Sequence, residues 1–214
     1  MSDATSEVFE YWESKYGGRD GVWSGRVNAA LAQAAEDLKP GRALDLGCGE
    51  GGDALWLAER DWTVVGVDVS PTALARAEVA AERAGLSGRV TWVAADLATW
   101  SSDQQFDLVT ASFLQSPVEL DRARILRAAA GRVAPDGHLL IVAHAAPPPW
   151  AHSHAEEHRT TMSFPTPEDD LAMLDLAPDE WRTVTAELQD RRAYAPDGAE
   201  VVLRDSVVVV QRVV

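Results

Sequence analysis

The sequence predicts an α/β fold, a mostly parallel sheet with helices on both faces, and two observations carry this prediction. Between residues 42 and 144, short apolar segments with strand character alternate with helical segments, a pattern typical of crossover connections between parallel strands. Two further strand segments, Trp181–Leu188 and Ser206–Val213, then follow one another without a helix between them. With the five strands of the alternating part, they predict a seven-stranded sheet that ends in a strand pair.

Two amphipathic helices are expected before the sheet, over Glu7–Tyr16 and Arg26–Leu38. Ser70 and Pro71 supply an N-cap and a first-turn proline for the helix after the second strand, and Gly85 ends it. The elements expected in the alternating part are, in order, strand Arg42–Leu46, helix Asp53–Arg60, strand Thr63–Val69, helix Pro71–Ala84, strand Val90–Ala95, strand Phe106–Ser112, helix Val118–Val133 and strand His138–His144.

The pattern changes after the fifth strand. The segment Ala145–Pro167 is rich in proline and histidine and lacks a clear period, so we expect a loop or lid there. A short helix over Pro167–Leu174 is expected to follow, with Thr166 as its N-cap.

The composition is that of a soluble globular chain, since 46% of the 214 residues are hydrophobic and 25% are charged. The net charge of −15 would repel a nucleic acid, and no apolar run reaches the roughly 18 residues of a membrane span. We therefore expect a small-molecule ligand, no nucleic-acid or membrane partner, and a monomer or weak homodimer. The single cysteine, Cys48, excludes an intramolecular disulfide and favours a cytoplasmic location.

The most informative motif is the glycine-rich turn after the first strand, Asp45-Leu46-Gly47-Cys48-Gly49-Glu50-Gly51-Gly52. Glycines let the chain turn sharply and let a ligand approach the backbone, and the helix that follows presents unpaired N–H groups. As Gly47-x-Gly49-x-x-Gly52, the motif fits a nicotinamide dinucleotide. A second pattern, Asp45-x-Gly47-x-Gly49-x-Gly51, overlaps with it.

Two more acids follow the next two strands. Asp68 ends the second strand, where an acid suits a ribose diol in either kind of nucleotide. Asp96 follows the third strand, in Ala95-Asp96-Leu97. A nicotinamide-dependent enzyme would need a second nucleotide-binding half, which this sequence does not contain, so the nicotinamide interpretation is disfavoured.

With these three acids the chain resembles the class I S-adenosylmethionine-dependent methyltransferases, whose Rossmann-like sheet ends in an antiparallel strand. It is similar to the small bacterial group related to thiopurine and tellurite-resistance methyltransferases through Tyr11-Trp12, Tyr16 and the stretch 22–28. The resemblance implies S-adenosylmethionine as cofactor and an N-terminal segment whose aromatic rings close over it. The residues that it implies for cofactor binding are Trp12, Trp23, Asp45, Gly47, Cys48, Gly49, Asp68, Val69, Asp96, Leu97 and Ser112.

The same resemblance predicts one methyltransferase domain over residues 1–214. Its expected parts are an N-terminal helical cover over 1–38, a cofactor-binding core over 39–145, a lid or insert over 146–178 and a C-terminal strand pair over 179–214.

The sequence leaves the identity of the methyl acceptor open. The scaffold favours a thiol or chalcogen compound, which needs no strong base, but Gln115 and Ala145 depart from the group at the expected substrate mouth. His144, at the end of the fifth strand, is the candidate catalytic residue if the acceptor is a phenol or an amine. The alternative function is therefore O- or N-methyl transfer to a natural product or xenobiotic, and a second alternative is a non-catalytic module that binds S-adenosylmethionine.

Two other groups of residues have competing interpretations. His154-Ala155-Glu156-Glu157-His158 matches a reversed zincin motif, and His152 lies beside it. Because the chain lacks a peptidase architecture, we expect no functional metal and assign these histidines to the lid. Arg122 and Arg124 fit a solvated helix face, or alternatively a contact with an anionic substrate.

Overall fold

The computed structural model describes residues 6–149, 163–195 and 197–214. Its strands are β1 (Arg42–Leu46), β2 (Thr63–Asp68), β3 (Val90–Ala94), β4 (Phe106–Ser112), β5 (Val133–His144), β6 (Trp181–Tyr194) and β7 (Glu200–Arg212). Its helices are α1 (Glu7–Gly17), α2 (Ala29–Ala35), α3 (Gly52–Ala58), α4 (Pro71–Ala84), α5 (Arg122–Ala130) and α6 (Pro167–Leu174).

The seven strands form one sheet in the order β3-β2-β1-β4-β5-β7-β6. The pairings among β1 to β5 are parallel, whereas β7 runs antiparallel to both of its neighbours. This arrangement confirms the predicted Rossmann-like fold with one reversed C-terminal strand. It also places the ends of β1, β2 and β4 side by side at one edge, where open α/β sheets bind their ligands.

Each face of the sheet packs against its own apolar layer. On one face, α2 and α3 contribute Leu31 and Leu57, which are fully buried beside Trp62. On the other face, α5 and α6 contribute Leu126 and Leu174. The middle of β5, from 139 to 143, is fully buried because both layers cover it, as expected for a strand that is covered on both faces of the sheet.

Two predicted helices are shorter in the structure because polar caps start them later. Asn28 accepts a hydrogen bond from the Ala30 N–H at 2.8 Å and begins α2, so the predicted start at Arg26 was wrong. Asp121 accepts one from the Arg124 N–H at 3.1 Å and begins α5, four residues after the predicted start at 118. In both cases a side-chain oxygen satisfies N–H groups that the first helical turn leaves unpaired.

Strand β5 begins earlier than predicted. Val133 already pairs with Phe106 of β4, and the register then shifts before Leu108 pairs with His138. The predicted turn at 135–137 therefore lies inside the strand as an irregularity, with Asp136 in a left-handed conformation (φ 63°).

Arg122 joins α5 to α6 through a buried ion pair, so the predicted solvated helix face was wrong for this residue. Its Nη1 and Nη2 donate to the two carboxylate oxygens of Asp170 at 2.5 and 3.1 Å. The side chains are only 12% and 1% exposed, respectively. The partner lies 48 residues away along the chain, so the local helix pattern gave no signal for it.

Replacement of Arg122 by Ala should lower the free energy of unfolding by about 3 kcal/mol, since it leaves the Asp170 carboxylate buried without its partner. Urea denaturation would measure this. Arg124→Ala is the matched control: Arg124 is 59% exposed in its pair with Asp121, and such surface pairs contribute about 0–1 kcal/mol. Equal losses in the two variants would contradict the prediction.

Some predicted features fall outside the described ranges. His152, His154 and His158 lie outside them, as do residues 150–162 of the expected lid. Within the described ranges, no helix has the length and apolar character that crossing a bilayer requires, and no three His, Cys, Asp or Glu side chains are grouped to hold a metal ion.

Candidate functional site

The glycine-rich turn leaves β1 through three residues in left-handed conformations, Gly47, Gly49 and Gly51 (φ 70°, 51° and 83°). The Gly47 and Cys48 N–H groups both donate to the Val67 carbonyl, at 2.8 and 3.1 Å, which ties the turn to β2. A Cβ on Gly51 would lie 2.7 Å from Trp92 Cη2. The turn therefore requires glycine both for its backbone conformation and for its packing.

Cys48 lies in this turn with its Sγ directed at the sheet, since a Cβ on Gly66 would lie 3.0 Å from it. Burial raises the pKa of the Cys48 thiol well above its ordinary value, and the charge of Asp45 adds to the rise. The thiol therefore stays protonated and unreactive. Cys48 contributes to the turn through its backbone, whose N–H donates to the Val67 carbonyl.

Asp45 is a buried acid with an unused oxygen at the end of β1. Its side chain is almost inaccessible, at 2% exposure. Oδ1 accepts a hydrogen bond from Thr110 Oγ1 at 3.0 Å, whereas Oδ2 has no hydrogen-bond partner among the described residues. Burial, reinforced by the nearby charge of Asp53, raises the pKa of Asp45 to about 8. A cationic group at Oδ2 would satisfy that oxygen and lower the pKa.

Asp68 links the end of β2 to the glycine turn. Its Oδ2 accepts a hydrogen bond from the Gly49 N–H at 2.8 Å, and its Oδ1 accepts one from the Ser70 N–H at 2.9 Å. Burial raises the pKa of Asp68, although these N–H groups oppose the rise. A carboxylate oxygen can accept two hydrogen bonds, and each oxygen here is described with one. The group therefore retains capacity for a hydroxyl donor of a ligand. Val69 follows it, half-buried.

A third acid in this region, the half-buried Asp53, was missed by the sequence analysis. It lies in the first turn of α3 and accepts a hydrogen bond from the Asn28 N–H at 2.7 Å. Burial raises the pKa of Asp53, and the Asn28 N–H together with the neighbouring Ser112 hydroxyl opposes the rise. Ser112, at the end of β4, thus lies on the same side of the sheet as Asp45.

Asp96 holds the loop after β3 in shape. Its Oδ1 accepts a hydrogen bond from the Ala98 N–H at 2.8 Å, and its carbonyl accepts from Thr99 and Trp100. Leu97 is half-buried and packs toward α5 as part of the second apolar layer. The loop therefore has a fixed conformation, with the Asp96 carboxylate half-exposed beside the end of β2.

The N-terminal segment covers the glycine turn through two aromatic residues. The Trp23 Nε1–H donates to Tyr16 Oη at 2.8 Å. A Cβ on Gly49 would lie 2.8 Å from that same oxygen and 3.5 Å from Trp23 Nε1. Burial raises the pKa of Tyr16, and the charge of Asp68 adds to the rise, so the hydroxyl stays protonated. Trp12 lies next to them, with its ring centroid 4.5 Å from Lys15 Nζ.

Polar contacts fasten this cover to α4 and to the glycine turn. The Glu50 carboxylate accepts hydrogen bonds from the Val22 and Trp23 N–H groups at 3.1 and 2.9 Å, and from Arg76 Nη1 at 2.8 Å. Arg76 Nη2 in turn donates to the Tyr16 carbonyl at 2.9 Å. Burial raises the pKa of Glu50, but these donors outweigh it and hold the pKa below its ordinary value. Glu13 adds a further contact, to Ser70 Oγ at 2.5 Å.

A second cluster surrounds His144 at the end of β5. His144 Nδ1 lies 3.3 Å from Asp205 Oδ1, and the two residues are direct partners in the β5–β7 register. The Arg191 Nε–H donates to Asp205 Oδ2 at 2.6 Å. Asp205 and Arg191 were missed by the sequence analysis, because only strand register brings them to His144.

Phe113 and Gln115, which follow β4, hold the histidine from the other side. The Phe113 ring stacks on the imidazole, with the centroids 4.1 Å apart. Gln115 Oε1 accepts from the His144 N–H at 2.7 Å, and Gln115 Nε2 donates to the His144 carbonyl at 3.2 Å and to the Ser163 carbonyl at 2.6 Å. A shallow cavity beside this cluster is lined by Leu114, Gln115, Ser116, Leu120 and Arg122.

Residues 43–137, which carry the glycine turn and the acids of β1 and β2, match the family model described as methyltransferase domain. Ribosomal RNA small subunit methyltransferase C of Alcanivorax borkumensis is 39% identical over 95 residues, which are 41% of this chain and 29% of that protein. The 2-heptyl-1-hydroxyquinolin-4(1H)-one methyltransferase of Mycobacteroides abscessus is 43% identical over 96 residues, 42% of each chain. The alignments thus span less than half the length of both relatives.

A structural likeness extends over nearly the whole chain. The protein solved in the study "Conversion of a Disulfide Bond into a Thioacetal Group during Echinomycin Biosynthesis" superposes with a TM-score of 0.71. That superposition covers 95% of this chain and 92% of the other, at 24% sequence identity. The shared feature is the fold, including the C-terminal strand pair that lies outside the matched family model.

Proposed function

We propose that this chain, which carries a methyltransferase domain over residues 43–137, transfers the methyl group of S-adenosylmethionine to a small-molecule nucleophile. The domain match indicates S-adenosylmethionine as the cofactor and an enzyme of this class. The observation that carries the proposal is the buried Asp45 carboxyl beside the glycine turn, whose Oδ2 lacks a partner among the described residues.

The residues present fit this cofactor. Asp45 Oδ2 suits the ammonium of its methionine part, because a buried acid without a partner is stabilised by a cationic donor. Asp68 retains acceptor capacity for the ribose hydroxyls. Gly49 and Gly51 give the turn its left-handed backbone conformations. We further assign Asp96 and Leu97 to the adenine end.

The remaining assignments concern the walls of the pocket. In this proposal Trp12 and Trp23 close the cofactor site from above, where aromatic faces can stack on a flat or cationic group. Gly47, Cys48, Val69 and Ser112 line it from the sheet. The cover limits access of water, and a closed site that holds two reactants in line provides much of the rate of such a transfer.

When bound, S-adenosylmethionine supplies a methyl group on a positively charged sulfur. The chain's own residues then position the reactants. Asp45 would hold the methionine part of the cofactor and Asp68 its ribose, and the β4–β5 edge with Phe113 and His144 borders the position proposed for the acceptor. The net charge of −15 supports a small-molecule acceptor over nucleic acid.

Two candidate functions differ in the identity of the acceptor atom. The scaffold resemblance favours a thiol or chalcogen compound. The pairing of His144 with Asp205 is a specific observation that favours the second candidate, O- or N-methyl transfer to a natural product or xenobiotic, since a base promotes removal of a proton from a hydroxyl or ammonium group that stays protonated at neutral pH.

Calorimetry tests the cofactor assignment. We expect binding of S-adenosylmethionine and S-adenosylhomocysteine, and no binding of NADH or NADPH. Asp68→Ala should weaken cofactor binding by about 2 kcal/mol, or roughly 30-fold, the scale for loss of a charge-assisted acceptor. The exposed Asp103→Asn serves as control. Binding of a nicotinamide cofactor without heat from S-adenosylmethionine would contradict the proposal.

Release of S-adenosylhomocysteine with thiols, selenite, tellurite, phenols and amines then tests catalysis. Turnover of any of them supports an enzyme. Cofactor binding without turnover across the panel would instead support a non-catalytic binding module.

A further inference from the structure

The His144–Asp205 pair fixes which ring nitrogen of His144 carries a proton. The Asp205 side chain is 3% exposed, against 32% for His144. Burial raises the pKa of Asp205, but the bonds from His144 and Arg191 outweigh it and hold the pKa below its ordinary value, so the group is a carboxylate. A carboxylate only accepts hydrogen bonds, and therefore a neutral His144 ring carries its proton on Nδ1. Its basic nitrogen is then Nε2, on the opposite edge of the ring.

The surroundings also fix the plane of the ring. Phe113 stacks on it at an interplanar angle of 21°, and Gln115 binds both the N–H and the carbonyl of His144. Phe113 adopts a left-handed backbone conformation (φ 54°), which costs a non-glycine residue about 1–2 kcal/mol. Such strain concentrates at functional sites, where the surrounding structure maintains it.

We infer that His144 Nε2 is the general base of the methyl transfer, that Asp205 is its positioning residue, and that the acceptor is a weakly acidic hydroxyl of the phenol class. This inference rests on the proposed function. A thiol ionises near pH 8.5 and is partly thiolate at neutrality without help, whereas a phenol ionises near pH 10 and stays protonated. Of these two acceptors, only the phenol therefore requires an oriented base.

In the step itself, the acceptor oxygen forms a bond to the methyl carbon as the carbon–sulfur bond breaks, and that bonding pair stays on sulfur. The hydroxyl proton passes to His144 Nε2. The imidazolium that results is stabilised by the Asp205 carboxylate at Nδ1, and it returns its proton to water after the product leaves. Arg191 keeps Asp205 in place throughout.

A first experiment needs no turnover. In the full chain labelled with ¹⁵N-histidine, the ring nitrogen shifts of His144 report the tautomer, and His144→Gln assigns the signal among the five histidines. We expect the Nδ1–H form in the native protein and a shift toward the Nε2–H form in Asp205→Asn. Asp190→Asn, an exposed acid paired with Arg204, is the matched control. An Nε2–H form in the native protein would overturn the inference.

A second experiment uses substituted phenols, each paired with the thiol of the same ring. We expect methylation of phenols, with kcat reduced at least about 100-fold in His144→Gln and in Asp205→Asn and with KM changed less than about threefold. Asp190→Asn should match the native protein. His144→Gln keeps the test valid if Asp205→Asn fails to fold, because His144 is partly exposed.

The other outcomes distinguish a failure of this inference from a failure of the proposed function. Methylation of thiols alone, unchanged in His144→Gln, would overturn the inference and leave the proposed function standing. Phenols left unmethylated by a protein that binds S-adenosylmethionine would do the same. Failure to bind S-adenosylmethionine would overturn the proposed function itself.

Discussion

Replacement of Asp45 by Asn should weaken the binding of S-adenosylmethionine by about 3 kcal/mol, roughly 100-fold, and should stabilise the free protein at pH 8–9. The loss of affinity follows from removal of the carboxylate that would bind the cofactor's ammonium. The gain in stability follows because Asp45 is buried near Asp53 and Asp68, and burial together with their charges raises its pKa to about 8. Above about pH 8 the free site thus holds a buried carboxylate whose Oδ2 has no hydrogen-bond partner among the described residues.

The pH dependence has a definite sign. The pKa of Asp45 is raised from 3.8 in the unfolded chain to about 8 in the folded one, so the folded state binds the extra proton between these values. The contribution of Asp45 is therefore fully favourable below about pH 4 and declines as the pH rises to 8, at a rate of at most about 1.4 kcal/mol per pH unit. The advantage of Asp45→Asn should grow over this window and level off above it.

Urea denaturation between pH 5 and pH 9 measures the stability difference, and calorimetry measures the affinity. Asp103→Asn, on the exposed surface, should follow the native protein in both. A variant that loses affinity and is less stable than the native protein at pH 9 would show that Asp45 supports the fold rather than the ligand. A substitution that makes the protein more stable and weakens its ligand binding is the pattern expected when the replaced acid serves function.

Elements with strong local signals were predicted within a residue. The limits of β4 and α6 match the predicted ones, and α4 ends at Ala84 with Gly85 in a left-handed conformation (φ 71°), as its sequence indicated. Caps, a first-turn proline and a C-terminal glycine act over a few residues, so the sequence alone contains them. The start of α5 was misplaced by four residues, because the N-cap that begins it, Asp121, was not recognised in the sequence.

The parts of the site that escaped prediction depend on contacts between distant residues. Asp205 meets His144 across 61 residues, because the two strands pair antiparallel in one particular register. Arg76 of α4 meets Glu50 of the glycine turn across 26 residues, and the pair also binds the N-terminal segment. A one-residue slip of β7 would turn Asp205 to the opposite face of the sheet, so no motif in the sequence identifies it.

The glycine turn offers a contrast between two neighbouring glycines. Gly51→Ala should lower the free energy of unfolding by about 4 kcal/mol, because its φ of 83° strains any side chain and a Cβ would lie 2.7 Å from Trp92 Cη2 and 2.9 Å from Ala77 Cβ. Trp92 and Ala77 pack in the sheet–helix layer and have little room to yield. Urea denaturation measures this loss of stability. Calorimetry should show that cofactor binding is lost together with the fold.

Gly49→Ala should instead lower the free energy of unfolding by only about 1–2 kcal/mol, the cost of its left-handed backbone conformation. A Cβ there would meet Tyr16 Oη at 2.8 Å, and this oxygen is the end of a side chain that can swing away. The displaced Tyr16 would lose its bond to Trp23 and loosen the cover, so amide hydrogen exchange over 16–23 should accelerate while exchange in β4 stays slow. Equal stability losses in the two variants, or unchanged exchange over 16–23 in Gly49→Ala, would mean that the cover does not rest on the glycine turn.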